Sequence, residues 1–214
     1  MLTTAGGWLL VLAVLAPFVG VLAGLALGGR HAQRVASLTL LFGLAVAAGI
    51  ASTLMQSGDT AVYLLGGWAP PLGIALRADG LSVVMILVVA LVVCGIGVYA
   101  SADFGSAAGA PEARAPLVFW LLLMAVWGSL NLVFLSGDLF TLYVALELLT
   151  FSGVPLVCLD GCGETLRAAL RYLLFALAGS LLLALTVIPV ATSFLLKTVP
   201  HHEPWLIRSA SRLY

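Results

Sequence analysis

Residues 139–159 read LFTLYVALELLTFSGVPLVCL, an apolar run with a single carboxylate, Glu147, inside it. A run of this length crosses a bilayer, which takes about 20 residues in a helix. Glu147 stands about nine residues into it, roughly 13 Å at helical rise and so near the midplane of a hydrocarbon core about 30 Å thick. A charge there costs about 2.5–3.5 kcal/mol on insertion scales. A carboxyl that must shed its charge to sit in hydrocarbon is one that can take up and release a proton. Intramembrane carboxylates mark ion or proton paths, which makes Glu147 the first candidate site residue. The plainer reading is a glutamate held neutral or tied by one interhelical hydrogen bond, with a purely structural role. Its neighbours at helical spacing are Tyr143, Thr150, Phe151 and Val154, so its face carries a phenol and a hydroxyl.

The whole chain has the same character. It is 63% hydrophobic and 8% charged, against about 25% charge in soluble domains. Nine basic and nine acidic side chains cancel, which points away from nucleic acid as a partner. Cys94, Cys158 and Cys162 follow no metal-ligand spacing and imply no disulfide framework. The first charged side chain is Arg30, so the basic n-region of a secretory signal is lacking. The expected fold class is all-α, a polytopic transmembrane bundle of about six spanning helices.

Those spans fall at approximately 7–28, 35–55, 79–100, 116–136, 138–159 and 167–189. Residues 56–78, with Gly58, Gly66, Gly67, Pro70 and Pro71, read as a loop, and Trp68 suits the headgroup layer. The stretch SADFGSAAGAPEAR (101–114) reads as a flexible connection. Only Ser136-Gly137 parts the fourth span from the fifth, which predicts a tight antiparallel hairpin. DGCGET (160–165) joins the fifth to the sixth, with Asp160 or Thr165 as cap. Arg30, Arg34, Arg114 and Arg167 fall on one side and Arg77 on the other. The positive-inside rule then turns the N-terminus outward, although Lys197, Arg208 and Arg212 of the tail run against it.

Other motifs have plain readings beside the functional ones. Gly20, Gly24 and Gly28 form a small-xxx-small stripe, explained by ordinary packing within the chain. Asp79 and Asp138 open the third and fifth helices, where an aspartate caps the helix and suits its dipole. Glu164, Arg167 and Arg171 share one face of the sixth helix. Glu164 and Arg167 read as a solvated surface pair. Arg171, about a turn deeper, either snorkels or turns inward toward Glu147. The apparent depths of Glu147 and Arg171 differ, which favours coupling through water over a direct salt bridge. His201, His202 and Glu203 imitate a metal set, but adjacent histidines point apart, and no metal site is expected.

Three stretches together, GGWAPPLGIALRADGLSVVMI (66–86), NLVFLSGDLFTLYVALELLTFSGVPLVCLDG (131–161) and LRAALRYLLFALAGSLL (166–182), resemble the antiporter-like proton-translocating membrane subunits. These occur in respiratory complex I, in membrane-bound hydrogenases and among the components of multi-subunit cation/proton antiporters, as the D-type component. The resemblance covers roughly residues 60–185. It implies that Glu147 is the family's buried proton-channel glutamate on the fifth helix, and that Arg171 stands where the family usually has a lysine. Asp79 and Asp138 match acidic residues at helix starts, and Tyr143 and Arg167 are supporting candidates. Full members have about fourteen helices in two inverted repeats, whereas this chain has six spans and loses the pattern near Val187. That suggests a truncated, split or frame-shifted subunit.

The expected organisation is an N-terminal helix pair (1–60), an antiporter-like region holding helices three to six (61–189) and an atypical tail (190–214). The leading function is the N-terminal part of a proton-translocating subunit, in a complex I-like (NADH-quinone oxidoreductase-type) or cation/proton antiporter assembly. It would work without cofactor in a bacterial-type inner membrane. Its partners would be other membrane subunits, protons, and sodium or another monovalent cation. The alternative is a non-transporting structural fragment or relic of such a subunit.

Overall fold

The computed structural model describes residues 3–4, 6–68, 73–104 and 114–197. Among the described residues six α-helices make up the fold: α1 (Trp8–Leu27), α2 (Gly29–Ser57), α3 (Gly80–Asp103), α4 (Arg114–Leu135), α5 (Leu139–Val157) and α6 (Gly163–Lys197). Each contains a stretch long and apolar enough to span a membrane. The chain divides into two compact units, residues 1–174 and 175–214.

The helix boundaries differ from the sequence expectation mainly at the start of α2 and at both ends of α6, which runs on to Lys197, eight residues past the expected end at 189 and into the stretch expected to be tail. Gly28, at φ +78°, ends α1 and α2 begins at once, so Arg30 and Arg34 lie in the first turns of α2 and not in a loop. The α6 helix begins at Gly163, four residues before the expected start. Its cap position is Cys162, whose carbonyl accepts the Leu166 N–H at 2.9 Å. Asp160 supports that start by accepting from the Cys162 N–H (3.1 Å) and the Thr165 hydroxyl (3.2 Å).

The stretch expected to be loop contains a small antiparallel sheet, β1 (Ala61–Leu64) and β2 (Ala75–Ala78), with Val62 opposite Arg77 and Tyr63 opposite Leu76. Glycines at positive φ, Gly66 and Gly67, turn the chain after β1. The period-2 alternation behind such strands is only four residues long on each side, too short to stand out against apolar neighbours. The sheet ties helix ends together. Thr4, just before α1, donates its N–H to the Val62 carbonyl (2.9 Å) and accepts the Val62 N–H on its hydroxyl (3.0 Å). At the α4–α5 junction Gly137 N–H donates to the Ala75 carbonyl at 2.8 Å. A side chain at Gly137 would meet that same oxygen.

The hydrophobic core is built from α1–α4 and β2, around Leu10, Ile50, Ile86, Trp120, Met124 and Trp127. Glycines let these helices close up. Trp127 of α4 lies against Gly43 of α2, and Gly20 of α1 meets Thr39 and Met124. The α1 glycine stripe is thus spent on packing within the chain and on the α1–α2 turn, as its plain reading had it. About a third of each spanning window in α1–α4 is buried (28–39%), but only 11% in α5 and none in α6. No described α5 or α6 residue joins that cluster, although Ala145 of α5 is fully buried against its neighbours.

Candidate functional site

Glu147 stands eight residues after Leu139 and ten before Val157, close to the middle of α5. The buried stripe of that helix is Thr141, Ala145 and Ser152, facing α4. At about 100° per residue, Glu147 is roughly opposite this stripe. Tyr143, Thr150 and Val154 share its side of the helix and are half-buried. The Thr150 hydroxyl donates to the Leu146 carbonyl at 3.0 Å, so its proton is already committed within α5. Glu147 itself is half-buried, not buried as expected. The reason is its position: α5 has α4 on one side, and Glu147 is on the other.

Arg171 and Arg167 are exposed on α6, as is Glu164. The earlier start of α6 changes the depth argument. Arg171 is eight residues into the helix, and Glu147 is ten residues from the end of α5 that faces the same loop. Counted along each helix from that turn, the mismatch is two residues, about 3 Å of helical rise, smaller than the sequence suggested, but α5 packs on α4 and not closely on α6. Even so, among the described residues Glu147 and Arg171 form no ion pair, and neither do Glu164 and Arg167.

The two helix-start aspartates are fully engaged as caps. Asp79 Oδ1 accepts from the Ser82 N–H at 2.8 Å. That bond, the Ser82 hydroxyl and the nearby Arg77 charge hold its carboxyl below the usual carboxylate range. Asp138 Oδ1 accepts from the Thr141 N–H (2.8 Å), and Oδ2 from the Thr141 hydroxyl (2.7 Å) and the Ala75 N–H (3.4 Å). Asp138 thereby joins α5 to the sheet as well as capping it. Neither aspartate is brought to Glu147. The His201–Glu203 set lies outside the described residues.

One polar residue escaped the sequence reading. Asn131 of α4 is 2% exposed and reaches α1, where its Nδ2 donates to the Ala13 carbonyl at 2.8 Å. An asparagine in an apolar helix, with a proline (Pro17) in another, was the available signal.

Six apolar helices, a core confined to four of them and a carboxylate at mid-helix on the fifth define a polytopic membrane protein of the all-α class. No protein-family model matches the chain. It is 32% identical over 177 residues to the D component of the Na(+)/H(+) antiporter of Alkalihalophilus pseudofirmus, covering 81% of this chain and 34% of that protein. To the Bacillus subtilis protein of the same name it is 29% identical over 145 residues, covering 68% and 28%. Its fold matches a chain of the Mrp complex from Dietzia sp. with a TM-score of 0.67 at 22% identity, covering 86% and 34%. It also matches a chain of an archaeal membrane-bound sulfane sulfur reductase, with a TM-score of 0.69 at 21% identity, covering 80% and 34%. The chain belongs to the antiporter-like subunit family, and it spans about a third of the length of these relatives.

Proposed function

We propose that this chain acts as part of a proton-translocating subunit in a multi-subunit Na+/H+ antiporter of the Mrp type, with Glu147 as the proton carrier. The observation that carries the reading is a mid-helix carboxylate with no ion-pair partner among the described residues, on a face it shares with Tyr143 and Thr150. Such a group exchanges a proton when a hydrated path or a moving charge reaches it. Counted along the two helices from their shared turn, Arg171 is within about a turn of Glu147, and it would act through its charge, because arginine keeps its proton in proteins. Relatives named as Na(+)/H(+) antiporter components favour the antiporter assembly over the NADH-quinone oxidoreductase type. Other membrane subunits, the exchanged cation and an inner-membrane location belong to this proposal.

The test is Glu147→Gln in the assembled complex. Cation/proton exchange, followed with a pH-sensitive dye in everted vesicles, should be lost while assembly persists. Unchanged exchange would remove Glu147 from the mechanism.

The fall in burial from α4 to α6 supports a second reading, in which the chain alone is a non-transporting fragment. Reconstituted by itself, it should give no sustained proton flux. Sustained flux would instead identify a self-sufficient carrier.

A further inference from the structure

Pro17 is in the middle of α1, and a proline there leaves the helix one donor short. The carbonyl deprived of its partner is that of Ala13, four residues earlier. In water this oxygen would be solvated. In hydrocarbon it must find a donor within the protein. The α4 helix meets the break at two positions three residues apart. At Gly128 the absence of a side chain makes room: a Cβ there would be 3.1 Å from the Pro17 ring and 3.0 Å from Phe18. At Asn131 the side-chain amide supplies the missing donor, with Nδ2 2.8 Å from the Ala13 oxygen. Only the NH2 end of an amide can donate, so this bond fixes which way Asn131 points. Its other end, Oδ1, is buried without a partner. An unsatisfied buried acceptor is unfavourable, so what Asn131 contributes must come through its donor.

We propose that Pro17, Gly128 and Asn131 form a single latch. Asn131 acts as a positioning residue: it replaces the N–H that Pro17 removes and sets the register of α1 on α4. Leucine would fill the Asn131 site with comparable bulk and no polar atom, yet would leave the Ala13 carbonyl without a donor. The contribution of Asn131 is therefore conditional on the proline. With alanine at position 17, the α1 backbone supplies its own N–H to Ala13 and the amide becomes dispensable.

A double-mutant cycle on the full chain in lipid-detergent micelles tests this, with reversible unfolding in SDS as the readout. Asn131→Leu alone should lower the folded-to-unfolded ratio about three- to tenfold, the size of one interhelical hydrogen bond. In the Pro17→Ala background the same substitution should cost less than twofold. Equal losses in the two backgrounds would overturn the proposal, and so would no loss in the first. If Asn131→Leu yields no folded protein, adding Pro17→Ala should restore it; failure to restore folding would also overturn the latch.

Discussion

Gly43 and Glu147 represent the two ways one residue can matter in this chain. At Gly43 the indole of Trp127 occupies the space a Cβ would need. Gly43→Ala must displace a tryptophan that is 1% exposed. Overpacking of this kind costs about 1–3 kcal/mol. A lower SDS-unfolding midpoint and a shift in tryptophan emission are the expected outcomes, and an unchanged midpoint would place Trp127 elsewhere. In the proposed role Glu147 acts through its charge and not through packing, so Glu147→Gln should leave that midpoint nearly unchanged while ending exchange. Glu147 stood out in the sequence because one carboxylate in an apolar run is conspicuous. Its burial was not legible, since that depends on which side of α5 meets α4. Gly43 gave no such warning among the 23 glycines of the chain; only the facing tryptophan distinguishes it.

Among the elements, the caps were readable and the sheet was not. Asp79 and Asp138 precede their helices with the residue type and spacing that capping needs, and both donors were found three residues on. Asp79→Ala should cost about 1 kcal/mol, a typical loss for an N-cap. The pH dependence has a definite sign. The folded Asp79 carboxyl lies below its unfolded value, so its contribution is fully present above an unfolded pKa of about 3.9. It is lost as pH falls through the lower folded value. The wild-type chain should therefore lose stability more steeply than Asp79→Ala below about pH 4, and parallel acid titrations of the two would refute the assignment. The strands escaped notice because their pairing is a tertiary fact: β2 is held by Gly137 and Asp138 as well as by β1. The expected start of α6 was late for a related reason. Asp160 and Cys162 support its first turn from residues that read as linker.

Over the whole molecule, six spans and the family were legible from apolar length and from three motif stretches, because the bilayer imposes length on any helix that crosses it. Arg30, Arg34, Arg114 and Arg167 still share one end of the alternating helices, despite the shifted boundaries. The α5–α6 turn is at that same end, and it carries an exposed native thiol, Cys162. The N–H groups of Thr165 and Glu164 hold this thiol below the ordinary cysteine range, which raises its thiolate fraction at neutral pH. An impermeant maleimide should label Cys162 quickly in inside-out vesicles and not in intact cells. Labelling in intact cells would invert the topology.

The tie between the sheet and the start of α5 also makes that helix a lever. Gly137 and Asp138 anchor one end to β2, whereas at the far end Pro155 leads into a single 3-10 turn, Cys158–Asp160. Any tilt of α5 therefore pivots at the sheet, and displacement grows with distance from that fulcrum. Glu147 is nine residues from Asp138 and Val157 is nineteen, about 13 and 28 Å at helical rise. The carboxylate would move about half as far as the helix tip, so a large swing at the α5–α6 turn would become a smaller displacement at Glu147.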